Sequence, residues 1–133
     1  LILVDRPGRD DAAVTAVMRE ASFCLVPARP SALDADASQR TVDALERMGI
    51  RYGVLINQVQ AAATVRTRAW VEIYDSRSLV VAPVWVSRVA YQDAVAQGLG
   101  VMELAPASLA AQEVRQAWLW IAARLRLAGE AHV

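Results

Sequence analysis

The sequence predicts an α/β fold built on a mostly parallel sheet. Short apolar runs alternate with helix-period segments, each run ends in turn residues, and successive runs are far enough apart for a helical crossover. Leu1–Val4 is wholly apolar and stops at Asp5-Arg6-Pro7-Gly8, as a strand buried on both faces would. Asp10 or Asp11 caps a helix carrying Val14, Val17, Met18 and Ala21 on one side. Phe23–Val26 is the second strand, closed by Pro27 and Pro30. The next helix begins near Asp34 or Asp36, presents Val42, Leu45 and Met48, and ends at Gly49. Tyr52–Val59 is a third strand, running through Val54, Leu55 and Ile56 to Asn57. Ala61–Asp75 reads as a helix. Leu79–Val86 reads as a fourth strand in which Pro83 moves the first half towards an edge or bulge. A short helix over Tyr91–Gln97 precedes Gly98 and Gly100. A long one from about Ser108 to Leu127 places Val114, Ala117, Trp118, Ile121 and Leu125 on its core face, leaving Trp120 for a second surface or a partner.

Composition narrows the function classes. At 133 residues and 56% hydrophobic content, the chain fits one domain over residues 1–133 with a substantial core. Fourteen basic residues balance fourteen acidic ones, so any attraction to nucleic acid or an anionic membrane must come from a local patch. Every basic residue is arginine, which removes Schiff-base chemistry, a phosphate-loop lysine and the lysine of receiver domains. The single cysteine, Cys24, sits in an apolar run and fits a small buried hydrophobe in a reducing compartment. No apolar stretch approaches the ~20 residues that span a bilayer. The expected location is cytoplasmic. The start at Leu1, within an expected strand, reads as that of a fragment. A strand edge left unpaired there would promote self-association or domain swapping.

In open parallel sheets, ligands bind beyond the carboxyl ends of the strands. Those ends carry Asp5, the Pro27–Ser31 segment, Asn57, and Ser87 with Arg88. A carboxylate after four apolar residues and before Pro-Gly suits a Mg²⁺-linked acid in a nucleotide hydrolase. It equally suits a residue that opens a turn and caps a helix. Gly8 would let the loop approach a γ-phosphate. Arg66 and Arg68 fit either a solvated face or phosphate contact.

Five blocks in order carry a family resemblance. Leu1-Ile2-Leu3-Val4-Asp5-Arg6-Pro7-Gly8 resembles an apolar strand followed by Asp-Thr-Pro-Gly. Ala21 to Pro27, followed by Pro30-Ser31-Ala32-Leu33-Asp34, resembles an Ala-Asp pair, a strand and a Pro-Ser-x-x-Asp segment. Val54-Leu55-Ile56-Asn57 matches a strand ending in Asn. Arg88 to Ala94 with Gly98, Val101 and Glu103, and then Ala110 to Val114, resemble the approach to and opening of a last helix. The chain thus resembles the ParA partition ATPases of the deviant Walker class, which includes Soj and MinD, over nearly its whole length.

The resemblance implies a three-layer, mostly parallel sheet of the P-loop nucleotide-hydrolase type, here without its phosphate-loop unit. It implies an ATP- and Mg²⁺-dependent switch in the parent protein: ATP-driven dimerisation, non-specific DNA binding at the nucleoid, and hydrolysis stimulated by a ParB-like partner. Asp5 would be the metal-linked acid and Pro7 and Gly8 the switch loop. Asn57 and Ser87 would line the base pocket, and Arg66, Arg68 and Arg88 would contact DNA. Arg6 departs from the usual Thr or Cys, and Ser22 from the usual Asp. With neither a glycine-rich loop nor a lysine, this chain alone is expected to bind no nucleotide tightly and to hydrolyse none. The alternative is a noncatalytic pseudo-ATPase acting as a binding or scaffold domain. A membrane-associated MinD-like role is disfavoured by the thin basic face of the last helix. A receiver domain fails because its third strand would have to end in Asp, where Asn57 stands, and because lysine is missing.

Overall fold

The computed structural model describes residues 1–5, 12–62, 65, 68, 69, 71, 72 and 84–125. In chain order the elements are α1 (Ala12–Glu20), β1 (Cys24–Ala28), α2 (Ala32–Met48), β2 (Tyr52–Ile56), α3 (Val89–Ala96), α4 (Val101–Leu104) and α5 (Leu109–Leu125). Val65, Arg68, Ala69, Val71 and Glu72 also have helical backbone.

β1 and β2 pair in parallel with α2 as the crossover, Cys24 facing Tyr52 and Ala28 facing Ile56. On the opposite side of β2 the Val84–Ser87 segment continues the parallel pattern. Trp85 N–H donates to the Ile56 carbonyl at 2.8 Å, Val59 N–H to the Trp85 carbonyl at 3.0 Å, and Ser87 N–H to the Val59 carbonyl at 2.8 Å. β2 is therefore central. Its Gly53, Val54, Leu55 and Ile56 are all buried, whereas β1 buries Val26 and Ala28 and exposes Leu25 and Pro27.

α2 shows how local sequence sets an element. Ser31 caps its first turn by accepting from Asp34 N–H at 3.2 Å. Gly49 ends it at φ 67°, a left-handed conformation that costs an L side chain strain, and Ile50 N–H closes back onto the Leu45 carbonyl at 3.0 Å. Between the caps, Val42 and Leu45 are fully enclosed against Val26, Val54 and Ile56. Cys24 is half-buried against this cluster, and burial pushes its thiol pKa up. A second cluster joins Leu55 and Ala117 with Trp85 and Trp120, and a third joins Ala94, Val101 and Ala110 of α3, α4 and α5.

Four expectations need correction. Leu1–Val4 forms no strand: Ile2 and Leu3 are each 87% exposed, since no strand among the described residues pairs with the segment. α2 starts at Ala32 rather than near Asp34 or Asp36, because Ser31 is the side chain that caps it. The strand expected over Tyr52–Val59 ends at Ile56, where Gln58 takes φ 56° and breaks the ladder before Val59 resumes pairing. On α5 it is Trp120, not Trp118, that packs on the sheet, because its ring lies over Gly53, where no side chain intervenes. Of the expected fourth strand, residues 79–83 lie outside the described set, and Val86 forms a parallel bridge to Val59.

Candidate functional site at the carboxyl ends of the strands

The parallel pairing brings three segments to one end of the sheet. Asn57 N–H donates to the Ala28 carbonyl at 2.8 Å, and Ser87 N–H to the Val59 carbonyl at 2.8 Å. Ala28 through Ser31, Asn57 through Val59, and Ser87 with Arg88 thus share the edge where an open α/β sheet binds its ligand. The N-terminus of α2 opens there as well, beginning just past the end of β1.

Within this edge the polar groups are tied down locally. Asn57 Oδ1 accepts from Gln58 N–H at 2.7 Å, which holds the left-handed turn at Gln58. Arg29 grips Asp34 with both ends of its fork, Nε to Oδ2 at 2.8 Å and Nη2 to Oδ1 at 3.2 Å. Ser31 Oγ also donates to Asp34 Oδ2 at 2.8 Å. These bonds, Arg29's first, hold the Asp34 carboxyl below the ordinary carboxylate range. Asp34 is thereby a structural anchor for the loop between β1 and α2.

Arg88 is also committed. Its Nε and Nη2 donate to Glu113 Oε1 at 3.0 and 2.6 Å. Glu113, buried on α5, accepts from the Tyr91 hydroxyl at 3.1 Å through its other oxygen. Tyr91 stacks on Trp85 with ring centroids 5.8 Å apart. Burial, and then the Glu113 charge, hold the phenol pKa well above its ordinary value. This cluster fixes the segment after Ser87 to the last helix.

The sequence-predicted residues are placed as follows. Asn57, Ser87 and Arg88 come together at the shared edge, Ser87 exposed and Asn57 half-buried. Asp5 is exposed at the end of the unpaired Leu1–Val4 stretch and bonds to none of the described residues. Arg68 is exposed in helical backbone. Pro7, Gly8 and Arg66, with the departure at Arg6, lie outside the described residues. No group of three or more His, Cys, Asp or Glu side chains forms a metal cluster among the described residues. Sequence reasoning missed Glu113, Tyr91, Trp85 and the role of Arg29. The Ser31-x-x-Asp34 spacing, a helix-start signature, could have exposed the Arg29 anchor. Nothing local marks Glu113, which finds Arg88 across 25 residues.

No helix among the described residues is long and apolar enough to cross a membrane. No protein-family model matches the chain. Over 123 residues the chain is 32% identical to the maintenance of carboxysome distribution protein A of Halothiobacillus neapolitanus (strain ATCC 23641 / c2), covering 86% of this chain and 56% of that protein. The chain therefore spans just over half the length of this relative, and the match supports a ParA-family relation for the chain.

Proposed function

We propose that this chain supplies the base-side part of a ParA-like positioning ATPase, within a three-layer sheet of the P-loop type. One observation carries the reading furthest: the motif residues after β1, Asn57 after β2, and Ser87 lie side by side at the carboxyl edge of a parallel sheet. Asn57 and Ser87 sit where a base pocket would be, at strand ends with backbone already held. The phosphate end is not furnished by the described residues, since Asp5 is exposed and unpaired and lysine is absent from the sequence. Nucleotide hydrolysis, ATP-driven dimerisation and response to a ParB-like partner then belong to a protein that also carries a phosphate loop. The similarity to a carboxysome-distribution protein favours positioning of a cargo in general over plasmid or chromosome partition in particular. Non-specific DNA contact falls to Arg68 more than to Arg88, whose guanidinium is committed to Glu113.

The experiment is calorimetric titration of Mg²⁺–ATP into the 133-residue chain and into a chimera with a ParA-type phosphate-loop segment fused ahead of Leu1. The chain alone should show no stoichiometric binding at micromolar concentration. The chimera should bind, and Asn57→Ala should weaken that binding. Stoichiometric binding by the chain alone, or a chimera indifferent to Asn57→Ala, refutes the reading.

A further inference from the structure

The opposite end of the sheet carries a feature that the nucleotide reading does not use. Phe23 before β1, Ile50 to Tyr52 entering β2, and Arg124 in the last turn of α5 line a cavity of about 290 Å³. Its walls are largely the Phe23 ring, Ile50 and the Tyr52 ring, and its charge comes from two arginines. Arg51 Nη1 donates to the Arg124 carbonyl at 2.8 Å, holding the two residues together. The Arg124 guanidinium carbon lies 3.2 Å above the Trp120 ring, which partly offsets its charge.

Neither guanidinium meets a carboxylate among the described residues. The ion pairs there are Arg29–Asp34, Arg40–Asp36 and Arg88–Glu113. Among the lining residues Tyr52 does reach an acid, its hydroxyl donating to Glu46 Oε1 at 2.6 Å. Arg124 is half-buried, and burial alone lowers its pKa. A partly desolvated cation without an anion is costly, and an incoming carboxylate would relieve that cost. The surrounding aromatic and aliphatic walls call for apolar groups beside the carboxylate, which a hydrated inorganic anion lacks.

We propose that this cavity docks an acidic segment of a partner protein, seating a carboxylate on Arg51 and Arg124 and a neighbouring apolar side chain against Phe23, Ile50 and Tyr52. The face lies at the amino ends of the strands, the end of the sheet opposite the carboxyl edge that the nucleotide reading uses.

The test is fluorescence anisotropy with a short labelled peptide alternating glutamate and leucine, titrated with the full chain. Saturable binding is expected, weakened about tenfold or more by Arg51→Gln, by Arg124→Gln, and by replacing the peptide's glutamates with glutamine. Arg51 is exposed, so Arg51→Gln should fold normally, and circular dichroism checks this. Tryptophan emission should shift on binding, and less so in Trp120→Phe. Equal affinity for Arg51→Gln or for the glutamine peptide overturns the proposal. So does displacement of the peptide by inorganic phosphate at the peptide's own concentration, which would mark a simple anion site. Concentration-dependent self-association that Arg51→Gln abolishes, with no peptide binding, would assign the face to a second copy of the chain and equally overturn it.

Discussion

Replacing Gly53 by alanine tests the packing that seats the last helix on the sheet. A Cβ at Gly53 would lie 2.7 Å from both Cη2 and Cζ3 of Trp120 and 3.1 Å from Cζ of Phe23. Ordinary carbon contacts begin near 3.4 Å, so the ring would have to retreat by several tenths of an ångström. It has little room to do so. Phe23 meets it edge-on with centroids 6.2 Å apart, and the Arg124 guanidinium covers a face at 3.2 Å. Overpacking of this kind costs about 1–3 kcal/mol, while alanine in a strand recovers roughly 0.5–1 kcal/mol over glycine. Three ring atoms are met at once, two of them at 2.7 Å, so the upper half of that overpacking range, about 2–3 kcal/mol, applies and the net expectation is a loss of about 1–2.5 kcal/mol. With a mid-range urea slope of about 2 kcal/mol per molar, the midpoint should fall by roughly 0.5–1.3 M at unchanged slope. Trp120→Phe removes the outer ring edge, so Gly53→Ala should cost much less in that background. An unchanged or raised midpoint for Gly53→Ala, or the same cost in both backgrounds, would refute the packing argument.

Two further expectations concern charge. Arg29 and Ser31 hold the folded Asp34 carboxyl below its unfolded pKa, so its contribution is present at neutral pH and lost as pH falls through the acid range. Asp34→Asn should therefore lower the urea midpoint at pH 7 and make little difference near pH 2; an equal loss at both would argue against the anchor. At the other end of the scale, the folded Tyr91 phenol is held above its unfolded value of about 10, so stability present below that pH is lost as pH rises beyond it. Glu113→Gln should cost about 1–3 kcal/mol by leaving Arg88 without its charge partner, and should flatten that alkaline loss. A neutral effect of Glu113→Gln on both counts would show that the cluster contributes nothing.

The parts of the fold legible in the sequence are those set within one element. α2 could be read from the spacing of Val42, Leu45 and Met48, and from Gly49, whose left-handed backbone favours glycine. β2 could be read from an uninterrupted apolar run, and that run proves buried on both faces. Its neighbour β1 was legible as an element but not as a half-exposed one. Whether Leu25 is covered depends on what lies beside the strand, and the strand's own residues do not record that.

The sequence by itself determined the alternation of apolar runs and helices, the end of α2 at Gly49, and the order of motifs that resembles ParA proteins, because each depends on residues close together in the chain. Only the tertiary structure decided that Trp120 rather than Trp118 meets the sheet, that Glu113 holds Arg88 and Tyr91, and that Arg51 and Arg124 share a cavity. It also left Leu1–Val4 uncovered, though its composition is that of a buried strand. The physical reason is common to all four. Burial and charge pairing belong to surfaces brought together from distant parts of the chain, and an apolar run specifies that it needs a partner without specifying which one it meets.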